Sequence, residues 1–401
     1  MISITSQDWF CDERSQKVMH VLASHGKEAR FVGGCVRDAL MGRPVHDIDI
    51  ATPEKPQVVE KLLQENGIKT IPTGIEHGTI TAVCEGLVFE ITTLRSDVST
   101  DGRRATVAFS EDWLEDAARR DFTFNALSVG LDGVVHDPFD GVADLQAGRV
   151  RFVGDPHQRI EEDYLRLLRF FRFSAYFAKA PMDGEALQAC IELAPKLSEL
   201  SGERITQELL KLLSSPRPAK WISLMQSFGI MNHLIAGTQD SHALEMMCAF
   251  EDKPDGLRRL SILLNKDADT VEQVIDRLKL SKKQSKRLKA ARLYDGVISM
   301  DNIFVQLYRF GAETVQDRLF IYWAEKQFSG LGPAQQSLLD EIAQWKANPK
   351  TFPLSGKDLL ERGFISGPQM GEVLSRVEEW WCENQCQPDR AACLTFLASF
   401  G

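Results

Sequence analysis

The chain has 401 residues, enough for two or three domains with packed cores. Hydrophobic residues make up 43% and charged residues 26%, which excludes a disordered, collagenous or coiled-coil chain. With 47 Lys and Arg against 57 Asp and Glu, the net charge of −10 excludes a uniformly basic nucleic-acid coat, though not a local basic face.

The first residues, MISITSQDWFCDERSQ, lack the basic and apolar regions of a signal peptide, and no run of about 18 apolar residues marks a membrane span. A cytoplasmic protein without a membrane partner is expected. The eight cysteines are scattered, as in a reducing compartment. Cys382, Cys386 and Cys393 cluster without a fourth ligand for zinc; Cys382 and Cys386 read as two thiols one turn apart on a helix face.

Residues 1–150 alternate short β-branched runs with Gly and Pro punctuation, which predicts an α+β head with a small mixed β-sheet. From Arg159 onward, apolar residues recur at three- and four-residue spacing, predicting an all-helical neck, body and tail, so that the molecule is mostly α overall. The divisions are expected at 1–150, 151–215 and 216–401.

Residues 31–52, FVGGCVRDALMGRPVHDIDIAT, are the most informative. A strand ends at Val32, Gly33 and Gly34 let the backbone turn, and a helix follows with Arg37 on its first turn, a junction that offers N–H groups to a phosphate. In HDIDI, strand alternation sends Ile48 and Ile50 to the core and Asp47 and Asp49 to one exposed face. Two carboxylates so placed need a cation. Mg²⁺ fits, because it binds through one or two carboxylates together with substrate phosphates, and a pair of ions can activate a hydroxyl and stabilise leaving pyrophosphate. A plain acidic edge strand is the alternative.

GGxVRD followed by DxD resembles the first motif of the class II tRNA nucleotidyltransferase and poly(A) polymerase family. VFEITTLR (88–95), RRDFTFNALS (119–128), DPFDGVADL (137–145), RIEEDYLRLLRFFRF (159–173) and ERITQELLKLL (203–213) are similar to its later motifs, in order. FPLSGKDLLERGFISGPQMGEVL (352–374) is similar to a segment near the C-terminus of CCA-adding members. The resemblance implies a nucleotidyltransferase head. Asp47 and Asp49 would hold metal, with Glu90 as a third carboxylate, and Gly33, Gly34, Arg37 and Arg120 would bind triphosphate. Asp121 and Asn125 would support the ribose.

On a helix, Asp163 and Arg166 are neighbours at i, i+3. An acceptor beside a donor pairs with the edges of cytosine and adenine and opposes those of uracil and guanine. The resemblance assigns this base reading to Glu162, Asp163 and Arg166, with Arg169 and Arg172 reaching toward nucleotide phosphates or the primer end. Residues 95–109 match a flexible loop that CCA-adding members need for the terminal A. The loop is full length here, with Asp101, Gly102, Arg103 and Arg104 at its tip.

Residues 277–292, RLKLSKKQSKRLKAAR, hold eight Lys or Arg and no acid, so the remaining chain carries −18. They predict a basic helix that tracks RNA phosphates through Lys282, Lys283, Lys286, Arg287 and Lys289. The resemblance implies sequential transfer of CMP, CMP and AMP from CTP and ATP to the tRNA 3′ end, without an obligate protein partner. A poly(A) polymerase, a CC-only enzyme and a non-catalytic RNA-binding protein remain the alternatives.

Overall fold

The computed structural model describes residues 3–74, 78–100, 105–239, 241–328 and 330–400. The chain divides into two compact units, Met1–Glu208 with Phe228–Leu234, and Leu209–Ser227 with Ile235–Gly401. The head and the helices that follow it, as far as Glu208, therefore share one unit, and the division falls within the helix Gly202–Leu213.

In the first unit the strands are β1 (Arg30–Val32), β2 (Ile48–Thr52), β3 (Lys69–Gly74), β4 (Thr79–Cys84), β5 (Leu87–Thr93), β6 (Arg95–Thr100), β7 (Ala105–Phe109), β8 (Ser128–Val129) and β9 (Val135–His136). Seven form a mixed sheet in the order β3-β4-β5-β2-β1-β8-β9. Only β2 and β5 run parallel in it, and their register sets Asp49 beside Glu90. The tight β4–β5 turn uses Glu85 and Gly86, both at positive φ, as a two-residue hairpin requires. Ile48, Ile50, Ile80, Phe89 and Ile91 are buried together with Val18, Leu22, Val59 and Leu63. These last four come from the helices Glu13–Ala23 and Pro56–Glu65, so one face of the sheet is covered, as the alternation in HDIDI predicts.

Residues 95–109, read from sequence as a polar loop, instead begin and end as the paired strands β6 and β7. Asp101, Gly102, Arg103 and Arg104 lie outside the described residues. A second departure concerns residues 159–177, whose apolar spacing reads as one helix. The helix Pro156–Glu162 stops at Asp163, whose backbone is extended (φ −154°, ψ 104°), and a new helix runs Leu165–Phe177. The Leu165 amide donates to Asp163 Oδ1 at 3.1 Å, so the aspartate starts the second helix in the manner of an N-cap. Phe170, Phe171, Phe173 and Phe177 of that helix are buried. Phe173 lies 5.2 Å from Phe122 and 5.3 Å from Phe124, centroid to centroid, joining the RRDFTFNA segment to the helix through edge-to-face ring contacts.

The second unit is helical. Its basic run is not one helix: Ala268–Leu278 ends at Lys279, which is left-handed (φ 52°), and Lys282–Arg292 starts afresh from a capping box between Ser281 and Gln284. Cys382 lies in the helix Pro368–Glu383, whereas Cys386 follows its end at φ 54°, so the two thiols do not share a helix face. All eight cysteines are free. Among the described residues no helix is long and apolar enough to cross a membrane.

Candidate active site

The site is assembled on the sheet where β1 and β2 meet the RRDFTFNA segment. Val32 ends β1, and Gly33 then takes φ 68°, ψ −118° at the start of the helix Gly34–Leu40. That backbone is open to glycine and strained for any other residue. A Cβ at Gly33 would also stand 3.0 Å from Arg120 Nη1, so the missing side chain admits the guanidinium. Arg37, one turn along the helix, donates to Asn125 Oδ1 at 2.7 Å and chelates Asp38.

Ile48 and Ile50 are buried, while Asp47 is exposed and Asp49 partly so. Burial first, and then the charges of Glu90 and Asp47, push the Asp49 carboxyl up to about 6, against the opposing pull of Arg120 and Arg37. A group whose proton affinity is set by two neighbouring carboxylates and two guanidiniums lies where acidic and basic side chains converge. The uncompensated acids and the half-open strand face fit a divalent cation bound by two carboxylates that completes its shell with water and phosphate oxygens. Among the described residues no three His, Cys, Asp or Glu side chains enclose an ion by themselves.

Arg120 is aimed by a residue that sequence reasoning missed. Asp116 is buried and accepts from Arg119 Nη2 at 2.6 Å and from Arg120 Nη2 at 3.0 Å. Burial alone would raise its pKa, but Arg120 and Arg119 hold the carboxyl below the usual range. The spacing was visible, since Asp116 precedes the two arginines by three and four residues at the end of the helix Trp113–Ala118.

A continuous network runs onward. Asp121 Oδ1 accepts from Asn125 Nδ2 at 2.9 Å and from the Phe122 amide at 2.9 Å, and Oδ2 accepts from Arg169 Nε at 2.6 Å. Burial works against ionisation, yet Arg169, Asn125 and Arg166 keep Asp121 down at about 2. Glu208, also missed, is buried and accepts from Arg172 Nε at 2.5 Å, with Arg169 at 3.7 Å. Arg169 and Arg172 are thus partnered within the protein, although sequence reasoning sent them toward phosphates.

The helical pairing of Asp163 with Arg166 is not formed, because the helix breaks between them. Arg166 Nη1 donates to Glu162 at 2.6 Å and to the Arg159 carbonyl at 2.8 Å, and Nη2 to the Arg119 carbonyl at 2.9 Å. Glu162 also pairs with Arg159. Asp163 Oδ2 instead accepts from Arg204 Nη2 at 2.7 Å. Arg204 and Glu208 lie in the ERITQELLKLL segment, and 41 and 36 residues of separation hid their partners.

In the second unit the expected RNA-contacting residues divide. Lys282, Lys283 and Lys286 are exposed. Arg287 points inward: its side chain is 12% exposed and meets Asp317 at 2.6 Å, Asp255 at 2.7 Å and Glu313 at 3.0 Å. Lys289 pairs with Glu272. Arg287 is therefore corrected from RNA contact to fold support, because three carboxylates occupy its fork.

Comparison with known proteins agrees with this architecture. Residues 29–151 match the family described as "Poly A polymerase head domain", and residues 181–240 match "Probable RNA and SrmB- binding site of polymerase A". The mitochondrial CCA tRNA nucleotidyltransferase 1 of Mus musculus is 34% identical over 96% of this chain and 90% of its own. A CCA-adding enzyme of Levilactobacillus brevis is 33% identical over 91% of this chain and 92% of its own. The crystal structure of the Bacillus stearothermophilus CCA-adding enzyme in complex with CTP superposes with a TM-score of 0.77 at 27% identity, covering 96% of each chain. At these identities, held over nearly the whole of both chains, the chain belongs to the CCA-adding tRNA nucleotidyltransferase family.

Proposed function

We propose that this chain adds CMP, CMP and AMP in turn to the 3′ end of tRNA, using CTP and ATP and releasing pyrophosphate. The observation that carries this reading is the convergence at Asp49, which the β2–β5 register sets beside Glu90 and which lies two residues from Asp47, with Arg120 at the Gly33 turn and Arg37 on the helix after it. An acidic pair and two phosphate-binding forks within one another's field are what a triphosphate and an attacking hydroxyl require.

Asp47 and Asp49 would hold Mg²⁺, which when bound supplies Lewis acidity at the α-phosphate and lowers the pKa of the attacking hydroxyl. Gly33 leaves space for Arg120, and Arg120 and Arg37 bind the triphosphate, steadied by Asp116 and Asn125. The tRNA 3′ oxygen forms a bond to the α-phosphorus as the bond to the pyrophosphate oxygen breaks, the two roughly in line. Residues 1–150 supply this catalytic head, residues 151–215 the base selection and residues 216–401 the tRNA contacts.

Asp163 accepts from the exocyclic amine of C or A, and Arg166 donates to the neighbouring ring nitrogen. Both are already partnered, Asp163 by Arg204 and Arg166 by Glu162, so each is oriented before the nucleotide arrives. Eight free thiols indicate a reducing compartment, which we read as the cytoplasm.

Asp47→Ala and Asp49→Ala test the assignment. Each is expected to lower CMP incorporation by about 10³-fold or more while tRNA affinity, measured by filter binding, stays near wild type. Unchanged turnover would favour a non-catalytic RNA-binding protein on this scaffold.

A further inference from the structure

We propose that Arg43 binds a backbone phosphate of the tRNA acceptor strand. The proposal rests on the tRNA reading above and assigns the site a contact for its second substrate.

Arg43 follows the helix Gly34–Leu40. Gly42 turns at φ 63°, and the Arg43 amide donates to the Asp38 carbonyl at 2.9 Å, so a helix-ending hydrogen bond fixes its backbone. Its guanidinium carbon lies 4.5 Å from the centroid of Phe177, and Nη2 donates to the Tyr176 carbonyl at 3.2 Å. Four guanidiniums gather on this one ridge of the helix Leu165–Phe177. Arg37 lies 5.4 Å from the Phe177 centroid and 5.1 Å from that of Phe173, and Arg169 and Arg172 lie 5.3 Å and 3.9 Å from Phe173.

Three of the four are matched by carboxylates: Arg37 by Asp38 at 2.8 Å, Arg169 by Asp121 at 2.6 Å and Arg172 by Glu208 at 2.5 Å. Arg43 has no carboxylate partner among the described residues, and a backbone carbonyl occupies one of its five donors. Ring stacking and the carbonyl orient the group, while its own charge, unlike those of its three neighbours, meets no carboxylate among the described residues. A planar fork so held fits phosphate oxygens.

Phosphate oxygens come from two sources here, the triphosphate and the RNA strand. The triphosphate side is served by Arg37 and Arg120 around Gly33. A seven-residue helix separates that turn from Arg43, about 10 Å at 1.5 Å per residue. The attacking 3′ oxygen enters opposite the leaving pyrophosphate, so the phosphates preceding it approach from outside the triphosphate group. Arg43, beyond the helix end and farther along the chain from the Gly33 turn than Arg37, is assigned to the acceptor strand.

The test compares Arg43→Ala and Arg43→Lys in the full chain. Equilibrium binding of a tRNA transcript lacking CCA is measured across a salt series without nucleotide, and the KM for CTP separately at saturating tRNA. Because binding is read without turnover, the contact is scored independently of which nucleotides are added. For Arg43→Ala we expect about 10-fold weaker tRNA binding and a salt slope shallower by about 0.7, the single-strand value for one phosphate. The KM for CTP should remain within about twofold of wild type, since the change leaves the triphosphate's own donors in place. Arg43→Lys should keep the wild-type slope. A raised KM for CTP with unchanged tRNA binding would overturn the proposal and assign the phosphate to the triphosphate. Loss of slope in Arg43→Lys equal to that in Arg43→Ala would show that stacking rather than charge acts, and would overturn it too. If Arg43→Ala melts below the assay temperature, Arg43→Gln, which keeps the stem over Phe177, replaces it with the same expected and contradicting outcomes.

Discussion

Asp163 has one carboxylate oxygen on Arg204 and the other on the Leu165 amide. If it reads the amine of cytosine or adenine, the incoming base must share an oxygen that Arg204 or the Leu165 amide already holds. Arg204 then acts as a positioning residue: it keeps the carboxylate aimed, so uracil, with a carbonyl at that edge, meets acceptor oxygens held in place. Arg204→Ala is expected to lower the preference for CTP over UTP by about 10-fold, a loss of about 1.4 kcal/mol of discrimination. Arg204→Lys should restore part of it. Misincorporation measured with each nucleotide alone checks this, and a uniform loss of kcat/KM for both would show a merely structural role. The same neighbourhood marks a limit of the sequence. The carboxylate and guanidinium of the base reader were legible as residue types, but Arg204 and Glu208 reach them across separations that no local spacing reveals.

Among the elements, the turn between β1 and the helix Gly34–Leu40 couples backbone shape to a side chain. Gly33→Ala places a Cβ in a strained backbone region and 3.0 Å from Arg120 Nη1. The strain is on the order of 1–3 kcal/mol, and relief would move Arg120 off the site. We expect a fall of about 10-fold or more in kcat/KM for CTP, with a lower melting temperature than wild type. Wild-type kinetics in a folded Gly33→Ala would contradict the coupling.

This turn and the alternation in β2 were readable because both depend on neighbours in sequence: a glycine pair after an apolar run, and period-two burial of Ile48 and Ile50. The break at Asp163 was not. Apolar spacing continues through residues 159–177, and periodicity does not register that one aspartate caps a second helix. The basic run misled for a related reason, because a left-handed Lys279 and the Ser281 capping box divide it between two helices.

For the molecule as a whole, the net charge of −10 averages over a carboxylate cluster, buried ion pairs and an exposed lysine face. Composition could not tell Arg287, enclosed by Asp317, Asp255 and Glu313, from Lys283 on the surface, since the distinction depends on residues about thirty positions away. The two classes should separate in one experiment. Arg287→Ala leaves buried Asp317 with Arg258 as its remaining partner, at an expected stability cost of about 2 kcal/mol, seen as a lower melting temperature. The combined Lys282→Gln, Lys283→Gln and Lys286→Gln change should leave melting unaltered. Its dependence of tRNA affinity on salt should be shallower by about 2 to 3, close to one per phosphate contact. Unaltered salt dependence in the triple variant would remove this face from the RNA contact.

The most direct test supplies one nucleotide at a time to tRNA transcripts ending before CCA, after the first C, and after CC. With CTP alone, the first transcript should grow by two residues and stop. With ATP alone, only the transcript ending in CC should grow, by one residue. Both together should complete CCA and end there. Sustained A-tailing in ATP alone, or equal use of UTP and CTP, would contradict the account.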